Sequence, residues 1–176
     1  MKHAFERLQQ NKVYKDWRTK NPSHTLSHAF LMLHQQYHPN WQFGFYSPET
    51  DQVATFIISE DNVQFTPETE VFKDPDKKIL PITLSQVKKT FDEAYAIAEQ
   101  ICRQRCSGQT INSTIAVLQN THEHGIVWNI TLVTMAFNTV NVKIDAETGD
   151  IKKVSVDSLM GLGTRVGPDS TDVLPQ

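Results

Sequence analysis

Four histidines that lie close together in the chain, His24, His28, His34 and His38, are the residues best suited to chemistry. His24 and His28 are four positions apart, as are His34 and His38, and this spacing lets two imidazoles of one helix share a zinc ion. The apolar residues among them recur at helical spacing, so we expect one helix that ends before Pro39, with the histidines opposite the core. This face is open to three interpretations: a solvated surface, a pH-responsive partner contact or a metal site. No acidic residue completes an H-E-x-x-H pattern, so we predict binding without a metal.

The remaining reactive side chains form no catalytic set. Cys102 and Cys106 are four positions apart near a helix end, where neighbouring arginines would lower a thiol pKa, but burial as small hydrophobes is the favoured interpretation. His122 and His124 flank Glu123 in a pattern that can bind copper or nickel adventitiously, but a polar hairpin loop is the favoured interpretation. No hydrolase elbow, Walker loop or dinucleotide motif is found. The sequence therefore leans away from an enzyme, and we expect no cofactor.

Composition excludes several classes of protein. The chain has 176 residues, 39% of them hydrophobic, and a formal charge of −3. This balance disfavours nucleic acid as a partner, and no apolar run reaches the roughly 18 residues of a membrane span. The N-terminal residues show no apolar export signal, and two cysteines cannot build a disulfide framework. We therefore expect a cytoplasmic protein.

The first half of the chain is predicted to be two helices followed by strands. Phe5, Leu8, Val13 and Trp17 recur at helical spacing, and this first helix should end near Asn21-Pro22. The histidine-bearing helix follows. Alternating apolar residues then predict a meander of three antiparallel strands, in WQFGFY, QVATFIIS and VQFT.

The second half is predicted to repeat this plan. Thr90 and Glu93 form a capping box at the start of the helix FDEAYAIAEQICRQRC. Four strands follow, in TIAVLQ, VWNITLVTMAF, TVNVKID and IKKVSV. We expect six apolar residues of these strands to face the helix: Trp128, Ile130, Leu132, Val140, Val142 and Ile144.

The segment VNVKIDAETGDIKKVSV resembles the PepSY domain, whose unit closes with a strand, a D-A-x-T-G-x-I/V turn and a final strand. In this turn Asp145 can accept hydrogen bonds from nearby backbone amides, and Gly149 can supply a positive φ. The helix FDEAYAIAEQI and the strand VWNITLV stand where the family places its helix and first long strand. The resemblance implies a cystatin-like α+β unit in which a helix packs on an antiparallel sheet. It also implies binding or inhibition, and it brings no catalytic residue.

Trp41 and Trp128 each open an alternating strand, which indicates a tandem duplication, although any two similar meanders would align nearly as well. We therefore predict an α+β protein with a unit over 1–82, a PepSY-like unit over 83–160 and a flexible tail over 161–176. The units should meet near the two tryptophans. The expected function is non-catalytic binding of an unknown protein, peptide or small apolar ligand. The alternatives are an enzyme with a pocket on its sheet and a structural or assembly protein.

Overall fold

A computed structural model describes residues 1–34, 39–70 and 78–158. The described residues form three α-helices: α1 (Lys2–Gln10), α2 (Lys12–Lys20) and α3 (Phe91–Arg105). The strands are β1 (Thr25–His34), β2 (Trp41–Ser47), β3 (Gln52–Ile58), β4 (Val63–Glu70), β5 (Ile111–Thr121), β6 (Gly125–Thr134), β7 (Asn138–Asp145) and β8 (Ile151–Ser158). Among the described residues, no helix is long and apolar enough to cross a membrane.

The eight strands form a single antiparallel sheet in the order β4-β3-β2-β1-β5-β6-β7-β8. Each half of the chain contributes a four-stranded meander, and β1 and β5 pair at the centre of the sheet. The predicted α+β class is therefore confirmed. The first meander has one strand more than we expected.

The hydrophobic core lies on the side of the sheet that the helices cover. The six residues expected to face α3, Trp128, Ile130, Leu132, Val140, Val142 and Ile144, are all fully buried, which confirms the prediction. The rings of Trp41 and Trp128 also meet as expected, with their centroids 6.1 Å apart. Phe91 at the start of α3 contacts both indoles.

The predicted histidine-bearing helix is wrong, because its described residues form the strand β1. The side chains of Ala29 and Leu31 are buried in the core, while those of Phe30 and Met32 lie on the opposite side. β1 is a central strand with apolar residues on both faces, and such a run satisfies the period of a helix as well as that of a strand. The pairing of β1 with both β2 and β5 decides between the two.

The first predicted helix is interrupted at Asn11, so that two helices form. The Asn11 side chain accepts hydrogen bonds from the amides of Val13 (2.8 Å) and Tyr14 (3.4 Å) and thereby caps α2. Asparagine favours this position because its side chain competes with the helical backbone for hydrogen bonds. The capping box of Thr90 and Glu93 at α3 is confirmed. The predicted tail, 161–176, and His38 lie outside the described residues.

Candidate binding face of the sheet

The structure does not bring the predicted histidines together. His28 and His34 lie on the side of the sheet that the helices leave uncovered, and they are six positions apart along β1. At about 3.4 Å per residue, this separates them by roughly 20 Å. His24 is buried on the helical side, where its ring packs edge-on against Trp17 at 5.1 Å. The predicted histidine face is therefore absent: His28 and His34 lie far apart on the uncovered side, and His24 lies on the helical side.

His28 is held tightly against the sheet. Its imidazole lies over Gly44, the residue opposite it on β2, where any Cβ would overlap the ring. The Nδ1 atom is 3.1 Å from the Ser27 hydroxyl, which itself donates to the Gly44 carbonyl at 3.0 Å. A register shift between Leu26 and His28 places Ser27 in this position. Burial of the ring lowers the pKa of His28 below its ordinary value.

The uncovered side of β2, β1, β5 and β6 forms one surface, which we call the binding face. Its residues alternate along the strands with those of the core, and its members are Gln42, Gly44, His28, Phe30, Met32, His34, Ser113, Ile115, Val117, Gln119, Val127, Asn129, Thr131 and Val133. These four described strands contain no Asp, Glu, Lys or Arg. The face is therefore uncharged, with apolar residues at its centre.

Polar and charged residues border the binding face along β7. The Asn141 amide donates to the side chains of Asn129 (2.7 Å) and Thr131 (2.8 Å), which fixes these groups in the sheet. Lys143 lies opposite Asn129 on the same side, and Lys153 on β8 lies opposite Lys143. One border of the uncharged centre therefore carries two lysines, with Asp157 further along β8 on the same side.

A second candidate is a cleft of about 330 Å³ at the hairpin ends, lined by Gln86, Asn120, His124, Gly125, Ile126, Asp145 and Glu147. Asp145 is engaged there in a turn, because its Oδ1 accepts from the amides of Glu147 (2.9 Å) and Thr148 (3.0 Å). Burial raises the pKa of Asp145, but these bonds and Lys152 at 3.1 Å outweigh that effect, and the net pKa is lowered. His124 lies 3.5 Å from Glu123. The Asp145 carboxylate, held by these hydrogen bonds, suits a structural turn better than proton transfer.

The turn that carries the family resemblance has the predicted geometry. Gly149 adopts a φ of +87°, and its amide donates to the Asp145 carbonyl at 3.0 Å. The buried Ala146 carbonyl accepts from the amides of Lys88 and Lys89, both at 2.9 Å. The turn therefore ties the β7–β8 hairpin to the segment that leads into α3.

The remaining reactive groups are buried or dispersed. Cys102 and Cys106 are free thiols, and both are buried, which confirms their interpretation as small hydrophobes. Burial and the neighbouring Cys106 raise the pKa of Cys102. In the part of the chain that the structure describes, no three His, Cys, Asp or Glu side chains converge as metal ligands.

Sequence reasoning missed the apolar part of the binding face. Phe30 and Met32 lie in the segment that was predicted as the histidine-bearing helix, and Val117 lies in the predicted strand TIAVLQ, for which no side of the sheet was predicted. The signal that could have found them is the absence of Asp, Glu, Lys and Arg from the four segments that form β1, β2, β5 and β6, because a solvated strand normally carries such residues on its outer face.

The fold defines a class of α+β proteins with helices on one side of an antiparallel sheet. It is similar to a crystal structure of a putative lipoprotein from Clostridium difficile 630. The two share 11% identity, the match covers 82% of this chain and 90% of that chain, and the TM-score is 0.56. At this identity the likeness concerns the fold alone. No family model and no curated protein matches the chain.

Proposed function

We propose that this chain is a non-catalytic binding protein that recognises a protein partner through the binding face. The observation that carries the proposal is the uncharged, partly apolar centre of that face, formed by residues such as Phe30, Met32 and Val117. Interface cores are depleted in charged residues and enriched in aromatic residues and methionine. Lys143 at the border favours a partner with an acidic group beside its apolar contact.

A protein surface fits this face better than a small apolar ligand does. Small-ligand sites are concave and enclose most of their ligand. The apolar residues here lie along several neighbouring strands, so they offer a broad contact. Amides such as Gln42 and Gln119 are interspersed and could bond with a partner's backbone.

We also propose that the two halves are a tandem duplication of one PepSY-like unit. A shift of 87 residues, the separation of Trp41 and Trp128, moves Phe43 onto Ile130 and Phe45 onto Leu132. All four of these shifted residues are buried core residues of β2 and β6. The symmetric strand order and the turn at Asp145 support the same proposal.

For location we propose the cytoplasm, because both cysteines are buried free thiols, as is usual in a reducing compartment. Cell fractionation tests this proposal. Recovery of the protein in the soluble cytoplasmic fraction supports it, and recovery with the envelope contradicts it.

Affinity purification of two matched variants from native cells tests the binding function. Met32 on the binding face and Val13 on α2 are 46% and 49% exposed, so that a glutamate at either position should leave the fold intact. Met32→Glu should lose the partner that the wild-type protein retains, while Val13→Glu should keep it. Equal recovery of every partner by both variants would contradict the assignment of the face.

A further inference from the structure

The two edges of the sheet differ in their protection against pairing with another strand. β4 carries Pro67, which has no amide to donate, and its register with β3 is shifted at Val53 and Thr55. Proline and register irregularities block edge pairing. β8 has no proline, and its pairing with β7 is regular from Lys153 to Ser158. β8 is therefore the edge that is able to accept a further strand.

The side chains of β8 complement their own sequence. Lys153, Ser155 and Asp157 lie on the side of the binding face, and Val154 and Val156 lie on the side of the helices. Opposite residues of an antiparallel pair share a face of the sheet. If Ser155 is set opposite Ser155 of a second copy, Lys153 comes to lie opposite Asp157, and Val154 opposite Val156. Each of these pairs occurs twice, because a two-fold contact repeats every interaction.

Exposure of these residues agrees with such a contact. Val156 is a large apolar residue that remains 44% exposed although its neighbour across the ladder, Val140, is fully buried. Lys153 and Asp157 are exposed as well. Neither charge is paired within the sheet by its direct neighbour, because Lys153 lies opposite Lys143 and Asp157 lies opposite Thr139.

We propose that β8 pairs with β8 of a second copy of this chain in this register, which would join two sheets edge to edge into a symmetric dimer. The occupant of the edge is the same chain, because one register satisfies both the charges and the valines of the strand. The contact uses the edge of the sheet and leaves the binding face open.

Charge exchange at the two positions tests the dimer. Sedimentation of the full chain at increasing concentration should show a monomer–dimer equilibrium. Asp157→Lys and Lys153→Asp should each weaken the dimer roughly tenfold, because each turns two attractive pairs into repulsive ones. The double variant should restore the wild-type affinity to within about threefold, since each pair again joins opposite charges, with the two charges swapped. Glu49→Lys makes the same charge change as Asp157→Lys, but in the exposed β2–β3 turn, and should have no effect on the dimer.

Hydrogen exchange provides a readout that needs no variant. Amides of β8 should become more protected as the concentration rises, while those of β4 should not. A wild-type protein that stays monomeric at every concentration would overturn the proposal. So would a dimer that is insensitive to both single variants, or one that the double variant fails to restore.

Discussion

Replacement of Gly44 by alanine should destabilise the protein through one identifiable contact. An alanine Cβ at this position would fall inside the His28 imidazole, 2.6 Å from both ring nitrogens. The ring must therefore swing away from β2, which breaks its hydrogen bond with Ser27 and exposes part of its buried surface. The lost bond costs about 1 kcal/mol, and overpacking of this kind costs about 1–3 kcal/mol. Alanine offsets about 0.5–1 kcal/mol of this cost, because glycine weakens a strand, and we therefore expect Gly44→Ala to lower the free energy of unfolding by about 2 kcal/mol.

A double-mutant cycle isolates this contact. In the His28→Ala background the ring is gone, so Gly44→Ala should be neutral or should stabilise by about 0.5 kcal/mol, since glycine weakens a strand. Urea unfolding of the four proteins should then give a coupling energy of about 2 kcal/mol. An equal cost of Gly44→Ala in both backgrounds would refute the contact between His28 and Gly44.

Three further predictions concern stability. Phe137 is 55% exposed and adopts a φ of +59°, a conformation that asparagine tolerates better than phenylalanine. Phe137→Asn should therefore raise the free energy of unfolding by about 1 kcal/mol. A lower free energy of unfolding for this variant in urea titration would contradict strain at Phe137. Ile130→Ala should lower the free energy of unfolding by about 2–5 kcal/mol, whereas Thr131→Ala on the other side of the sheet should lower it far less. Thermal melts that show similar losses of stability for the two variants would contradict the assignment of the core to the side of Ile130. Because burial lowers the pKa of His28, the unfolded chain binds a proton more readily, and stability should fall as the pH drops below about 6.5. Urea unfolding across this range should show a shallower decline for His28→Gln, and an unchanged slope would exclude His28 as the cause.

The second half of the fold could be predicted closely from the sequence because its signals are local. Thr90 and Glu93 satisfy each other's backbone amides within one helical turn, and Asp145 bonds with residues two and three positions ahead. The alternation around Ile130 and Val142 has polar residues on the outer side, so its period is unambiguous. These features need no knowledge of the rest of the chain.

The first half depends on distant contacts, and its prediction failed there. β1 is apolar on both faces because it lies between β2 and β5 at the centre of the sheet, and residue spacing alone could not separate a strand from a helix. The pairing of Ala29 with Leu118 joins segments 89 positions apart in the chain. The wrong helix also placed His24 on one face with His28 and His34. In the structure His24 precedes β1, and the register shift between Leu26 and His28 puts it on the opposite side of the sheet from the other two.

Photo-crosslinking in native cells is the most direct test of the binding face. A photoreactive amino acid in place of Met32 would lie on that face, and the same group in place of Val13 would lie on α2. The two native side chains are nearly equally exposed. We predict a discrete crosslinked partner from position 32 and none of the same mass from position 13. Identical crosslinking patterns from the two positions, or no crosslinked partner from position 32, would contradict a binding role for this face.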